Sequence, residues 1–85
     1  MAYPVSVESF EAVLREHRPR VDAYCRRRLT DPQDALDAIE ETFLRLQQAH
    51  PRFKGQTPLD QWIDRIAANV CRDQLRSRLR RDETD

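Results

Sequence analysis

The sequence predicts an all-α fold, a compact bundle of three to four helices, and three observations predict it. Apolar residues recur at three- and four-residue steps through almost all of the 85 positions. Asp31-Pro32 and Thr57-Pro58 each set a capping side chain before a proline, which is how helices start. The only glycine, Gly55, leaves no material for hairpin-rich β folds or glycine-rich phosphate loops. The length allows one small domain. Such a domain buries roughly 60–65% of its unfolded surface, so its stability leans on partners.

Each element follows from its own signals. Between about residues 7 and 29, Phe10, Leu14, His17, Val21, Tyr24 and Cys25 share one face, with Ser6 as the N-cap. Pro19 falls opposite that face, so a kink or local break belongs there. Arg26, Arg27 and Arg28 close the segment, where cations complement the helix dipole. A solvated helix end is favoured for this trio over a nucleic-acid patch. Asp31, Pro32 and Asp34 open the next helix as cap, first turn and capping-box acid. It runs to about Ala49 and stops before His50-Pro51. Thr57-Pro58-Leu59-Asp60 repeats that start and opens a last helix reaching about Arg80. The domain spans residues 7–81, between an N-terminal tail (1–6) and a polar, frayed tail (82–85).

Composition excludes several function classes. Fifteen basic and fifteen acidic residues cancel to zero, which argues against indiscriminate coating of nucleic acid. The zero is unevenly spread. Residues 31–50 carry five acids and one arginine, whereas residues 51–81 carry eight cations and three acids. No apolar run approaches the roughly 18 residues of a membrane span, and no signal-peptide core is visible, so a cytoplasmic protein without membrane insertion is expected. Cys25 and Cys71 fit no zinc-ligand spacing and read as small, semi-buried thiols. His17, on the apolar face, reads as a core histidine, and neither it nor His50 has a nucleophile or ligand partner. No metal, no cofactor and no enzymatic activity are expected.

Two helix faces depart from ordinary surface. On a helical wheel Ala35, Ile39, Thr42 and Leu46 form the core arc of the second segment, flanked by Ala38 and Phe43. The opposite arc holds Asp37, Glu40, Glu41, Leu44, Gln47 and Gln48. An aliphatic side chain ringed by carboxylates matches an anchor within a polar rim, although spacing alone leaves interface and solvated surface equally open. In the last helix Leu59, Ile63, Ile66 and Val70 face the core, with Trp62 on the flank. Arg65, Asn69, Arg72, Arg76 and Arg80 form a continuous stripe beside them, starting near Gln61. A basic ridge with an amide suits phosphate tracking, and a solubilising face paired with Asp64 and Asp73 is the alternative. Asp73, near the core edge, reads as a structural partner for an arginine. Between the helices, Arg52, Phe53, Lys54, Gln56 and Thr57 surround Gly55. Cations, an amide and an aromatic suit a single-stranded base, while core packing is equally open for Phe53.

Asp31-Pro32-Gln33-Asp34-Ala35-Leu36-Asp37-Ala38-Ile39-Glu40-Glu41-Thr42-Phe43-Leu44-Arg45-Leu46 resembles the second conserved helix of bacterial sigma factors, the extracytoplasmic-function (ECF) group above all. Arg52-Phe53-Lys54-Gly55 and Trp62-Ile63-Asp64-Arg65-Ile66-Ala67-Ala68-Asn69, then Asp73-Gln74-Leu75-Arg76, follow at the family's spacing. The match covers about residues 9–81 and is specific because three ordered blocks coincide.

The resemblance implies a region-two domain that binds RNA polymerase core and recognises and melts the −10 promoter element without hydrolysis. It assigns Asp37, Glu40, Glu41, Leu44 and Gln47 to the clamp helices of the β′ subunit. It sets Arg52, Phe53, Lys54, Gln56 and Thr57 near a base flipped from the non-template strand. Arg65, Asn69, Arg72 and Arg76 then lie along the upstream junction and backbone. An anti-sigma factor is a further partner. Leu36 stands where the family has an acid, at the edge of the core arc, where burial accounts for it. Glu40 stands where the family has glutamine. ECF sigma factors also carry a −35-reading domain, so an isolated region-two domain is expected. The competing reading is a sigma-like interaction module, a decoy or an anti-sigma-bound domain, without promoter activity.

Overall fold

The computed structural model describes residues 7–84, with side chains from Phe10 to Arg81. Helices α1 (Val7–Glu16), α2 (Arg18–Arg28), α3 (Pro32–Ala49) and α4 (Leu59–Thr84) are joined by short links, and a single 3-10 turn (His50–Arg52) follows α3. The architecture is the all-α bundle expected. Ser6 and Asp85 lie outside the described residues.

The anticipated break in the first segment falls at His17, two residues before Pro19. The ring of Pro19 pre-sets the first turn of α2 instead of kinking one long helix. His17 adopts φ −93° and ψ 0°, and its Nδ1 lies 2.9 Å from the carbonyl oxygen of Val13. It is half-buried at the joint. Asp31 caps α3 as expected: its carboxylate accepts from the backbone N–H groups of Gln33 at 2.8 Å and Asp34 at 3.2 Å. Helix α4 continues to Thr84, about one turn past the end near Arg80.

Helix α3 is the hub and packs against both α2 and α4. Ala35, Ala38, Ile39, Thr42 and Leu46 are buried there, facing Val21 and Cys25 of α2 and Ile63, Val70 and Cys71 of α4. Thr42 donates its hydroxyl to the Ala38 carbonyl (2.6 Å), so the polar atom costs little inside the core. Two expectations need correcting. Cys25 and Cys71 are fully buried, and desolvation pushes the Cys25 thiol up to about 12 and Cys71 upward as well. Both are therefore neutral thiols at neutral pH. Leu36 is 41% exposed and outside the core, because α3 turns that edge to solvent.

Ion pairs bind α4 to its neighbours. Arg45 bridges Glu41 (3.0 Å) on its own helix and Asp73 (3.2 Å) on α4, the structural role foreseen for Asp73. Arg78 reaches back to Asp31 (3.1 Å) and Asp34 (2.6 Å) at the start of α3. Arg20 grips Asp64 with two bonds of 2.9 and 2.7 Å. The hydrogen bond from Arg78 holds the Asp31 carboxyl below the usual carboxylate range, helped by its two capping N–H groups. Arg20 does the same for Asp64. Depressed carboxylates contribute stability that is present above the unfolded value, about 3.9, and is lost as pH falls through the lowered folded values. Urea midpoints should therefore be level from neutrality to about pH 5 and fall below it. The fall should be shallower in an Asp31→Asn, Asp64→Asn double variant. An equal fall in both proteins would remove these carboxylates as the cause.

Candidate functional site

The acidic arc of α3 is solvent-facing as its spacing required. Asp37, Glu40, Leu44 and Gln47 are exposed, and Glu41 is half-buried. Leu44 is 48% exposed. Beside it runs a groove of about 470 Å³ whose walls include Leu14 and Arg15 of α1, Arg18 of α2, and Glu40, Phe43, Leu44 and Gln47 of α3. Arg18 pairs with Glu40 (2.8 Å) and sits 5.1 Å from the centre of the Phe43 ring. The fold thus gathers Glu40, Leu44 and Gln47 at one groove edge. Asp37 stands a turn earlier, accepting from Gln33 Nε2 at 2.8 Å. Glu41 turns toward Arg45 and serves the α3–α4 bridge.

The loop builds a second concavity. Phe53 is only 4% exposed and stacks on Trp62, with ring centres 4.4 Å apart and planes at 26°. Trp62 meets the edge of Phe10 at 6.1 Å, and Phe10 stacks on His50 at 4.0 Å. This aromatic chain fastens α1, the 3-10 turn, the loop and the first turns of α4 together. Of the two roles left open for Phe53, packing is satisfied in this structure. Above it lies a hollow of about 270 Å³ lined by Arg52, Phe53, Gln56, Thr57 and Arg65, with Ala49 and Trp62. Gly55 makes the tight turn at φ +76°, a conformation other residues adopt only with strain. Gln56 Oε1 accepts from the Lys54 backbone N–H (2.9 Å), which leaves the amide NH₂ as the free donor. Lys54 is exposed but does not line the hollow.

The stripe continues along α4. Asn69 accepts from Arg72 Nη2, and Arg72 and Arg76 are exposed. At 1.5 Å per residue, Arg65 to Arg76 covers roughly 16 Å of helix. The arginines differ in their pairing. Arg18, Arg20, Arg26, Arg45 and Arg78 each hold a carboxylate. Among the described residues, Arg52, Lys54, Arg65 and Arg76 have no acidic partner, and Arg72 has only Asn69. Asp64 and Asp73 do not neutralise the stripe, since α2 and α3 claim them. Two lining residues escaped the sequence reading. Trp62 occupies the core flank that its spacing predicts and also lines the hollow, and Ala49 carries no chemical signal at all. Among the described residues no group of three His, Cys, Asp or Glu could hold a metal ion. No described helix is long and apolar enough to cross a membrane.

The chain is 38% identical over 72 residues to ECF RNA polymerase sigma factor SigG of Mycobacterium tuberculosis. It is 33% identical over 69 residues to RNA polymerase sigma factor CarQ of Myxococcus xanthus, and 27% over 73 residues to RNA polymerase sigma-H factor of Pseudomonas aeruginosa. These matches take in 85%, 81% and 86% of this chain but only 20%, 40% and 38% of those proteins. No solved structure matches it. The Sigma-70 region 2 model matches residues 13–81, so that α2, α3, the loop and nearly all of α4 fall inside it. With a helix bundle, an acidic leucine-bearing face and a cationic loop-and-helix face, the chain belongs to the Sigma-70 region 2 family of sigma factors.

Proposed function

We propose that this domain joins RNA polymerase core to promoter DNA and opens the −10 element by capturing a base of the non-template strand. The observation that carries the reading is the pairing pattern: Arg52 and Arg65 at the hollow, Lys54 beside them and Arg76 along α4 have no carboxylate among the described residues, while Arg18, Arg20, Arg45 and Arg78 each hold one. A phosphate backbone is the partner such a surface lacks. The hollow offers one aromatic floor, a free amide donor at Gln56 and a hydroxyl at Thr57. Unstacking a base costs a few kcal/mol, and stacking and hydrogen bonds in a pocket return it. Arg65, Asn69, Arg72 and Arg76 then follow the backbone away from the hollow, with exposed Lys54 on the same loop.

The α3 face supports the polymerase half of the proposal. Leu44 is the apolar anchor, Glu40 and Gln47 frame it beside the groove, and Asp37 and Glu41 extend the acidic rim toward a basic partner. The β′ clamp helices are the partner this family implies, and an anti-sigma factor covering the same faces is the natural inhibitor. The unit is residues 7–81, acting in the cytoplasm where polymerase and promoter are.

The DNA half is tested by fluorescence anisotropy with short single strands carrying candidate −10 sequences and their scrambles. Tight binding of one sequence class, falling with salt, is the expected result. Lys54→Ala should weaken every strand about equally, because it contacts phosphate and not base. Equal affinity for all scrambles would leave only a phosphate surface. Binding to clamp helices with no binding to any strand would select the interaction module without promoter activity.

A further inference from the structure

The arginine trio at the end of α2 serves neither face described above, and the fold separates its members. Arg26 is paired with Asp22 one turn back at 3.0 Å. Arg28 lies over the Tyr24 ring, 3.5 Å from its centre, and donates one bond of 3.3 Å to the Tyr24 carbonyl. Its planar fork has five donors, so most stay available on a guanidinium already immobilised by the ring. Arg27 is exposed and has no acidic partner among the described residues. A solvated helix end accounts for Arg26 but not for the other two.

Arg27 and Arg28 line a groove of about 380 Å³ between α2 and α4, with Arg20, Ala23, Tyr24 and Asp64. The one carboxylate there, Asp64, is already matched by the two bonds from Arg20. The groove therefore keeps the charge of Arg27 and Arg28. Ala23 and Tyr24 are its only apolar lining, which is too little to anchor a protein partner but no obstacle to a phosphodiester. Its position matters as much as its charge. Asp64 walls the groove and the next residue, Arg65, walls the capture hollow. Consecutive helical residues point about 100° apart, so the two concavities lie on neighbouring sides of the same turn of α4. A helix is about 10–12 Å across, and stacked nucleotides advance about 3.4 Å each, so three to four nucleotides cross it.

We infer that the α2–α4 groove holds the phosphodiester backbone of the same DNA single strand whose base enters the hollow, with Arg27 and Arg28 as its phosphate contacts. The inference rests on the strand-capture reading proposed above and extends the strand's path over α4 onto α2. Labelled oligothymidylates of about two and about twelve nucleotides test it by anisotropy against the 85-residue chain over a range of salt. The short strand covers the hollow alone and the long one reaches the groove. Arg27→Ala should weaken the long strand about threefold, flatten its salt slope by about 0.7, and leave the short strand unchanged. Arg27→Glu should weaken the long strand about tenfold. Arg27 packs against nothing in the core, so circular dichroism should not change. If the unaltered chain binds both strands and neither variant discriminates by length, the groove is not on the path. If the unaltered chain binds neither, a phosphate-holding groove is excluded and the assignment falls, while strand capture stands or falls with the −10 strands above.

Discussion

Leu44→Arg should weaken binding to a β′ clamp-helix peptide by about 30-fold or more, the loss typical of a central anchor worth about 2 kcal/mol. The leucine is nearly half exposed and no core residue depends on it, so helicity and urea midpoint should stay as they were. The arginine would also sit among Asp37, Glu40 and Glu41, where it neutralises the rim a basic partner needs. A Leu44→Met control keeps apolar volume and should retain most of the affinity. Unchanged binding by Leu44→Arg would falsify the contact assigned to this face, and the groove between α1 and α3 would lose its role as well.

Phe53→Ala should be the most damaging single change in the loop. Removing a buried phenylalanine costs about 3–5 kcal/mol. A domain of this length has only on the order of 4–13 kcal/mol in total. The loss is large because Phe53 is one link in the chain from His50 through Phe10 and Trp62, so the loop and α1 loosen together. Urea unfolding followed by Trp62 fluorescence measures it. Phe53→Leu keeps the apolar volume and separates folding from binding. It should fold with a loss of less than about 1.5 kcal/mol, yet bind a recognised single strand roughly fivefold less tightly, since an aliphatic floor stacks poorly. Undiminished strand affinity in the leucine variant would confine Phe53 to packing.

Most of the architecture was legible in the residues. Asp31-Pro32 and the apolar spacing through Leu46 set α3 to the residue, because caps and amphipathic period are local properties of the chain. The exposed position of Leu44 follows from the same periodicity, and the loop cluster around Gly55 from the residue types between the two helices. Leu36 lies at a boundary of the wheel, where which neighbour lies alongside decides burial and no single-helix pattern records it. Cys25 and Cys71 are more buried than their own helices predict for the same reason, as each completes a contact supplied by another helix.

Charge shows the division most clearly. The amino-acid order already separates an acidic segment at 31–50 from a basic one at 51–81 within a chain whose net charge is zero. It cannot say which cations are free. Arg20 finds Asp64 across 44 residues, Arg45 finds Asp73 across 28, and Arg78 finds Asp34 across 44. Only after those pairs form do Arg52, Lys54, Arg65 and Arg76 stand out as unneutralised, and Arg27 with them. Helix starts and faces depend on neighbours a few residues away, so the sequence carries them. Ion pairing and the walls of a hollow depend on which distant side chains come within about 3–4 Å, and packing of the four helices alone decides that.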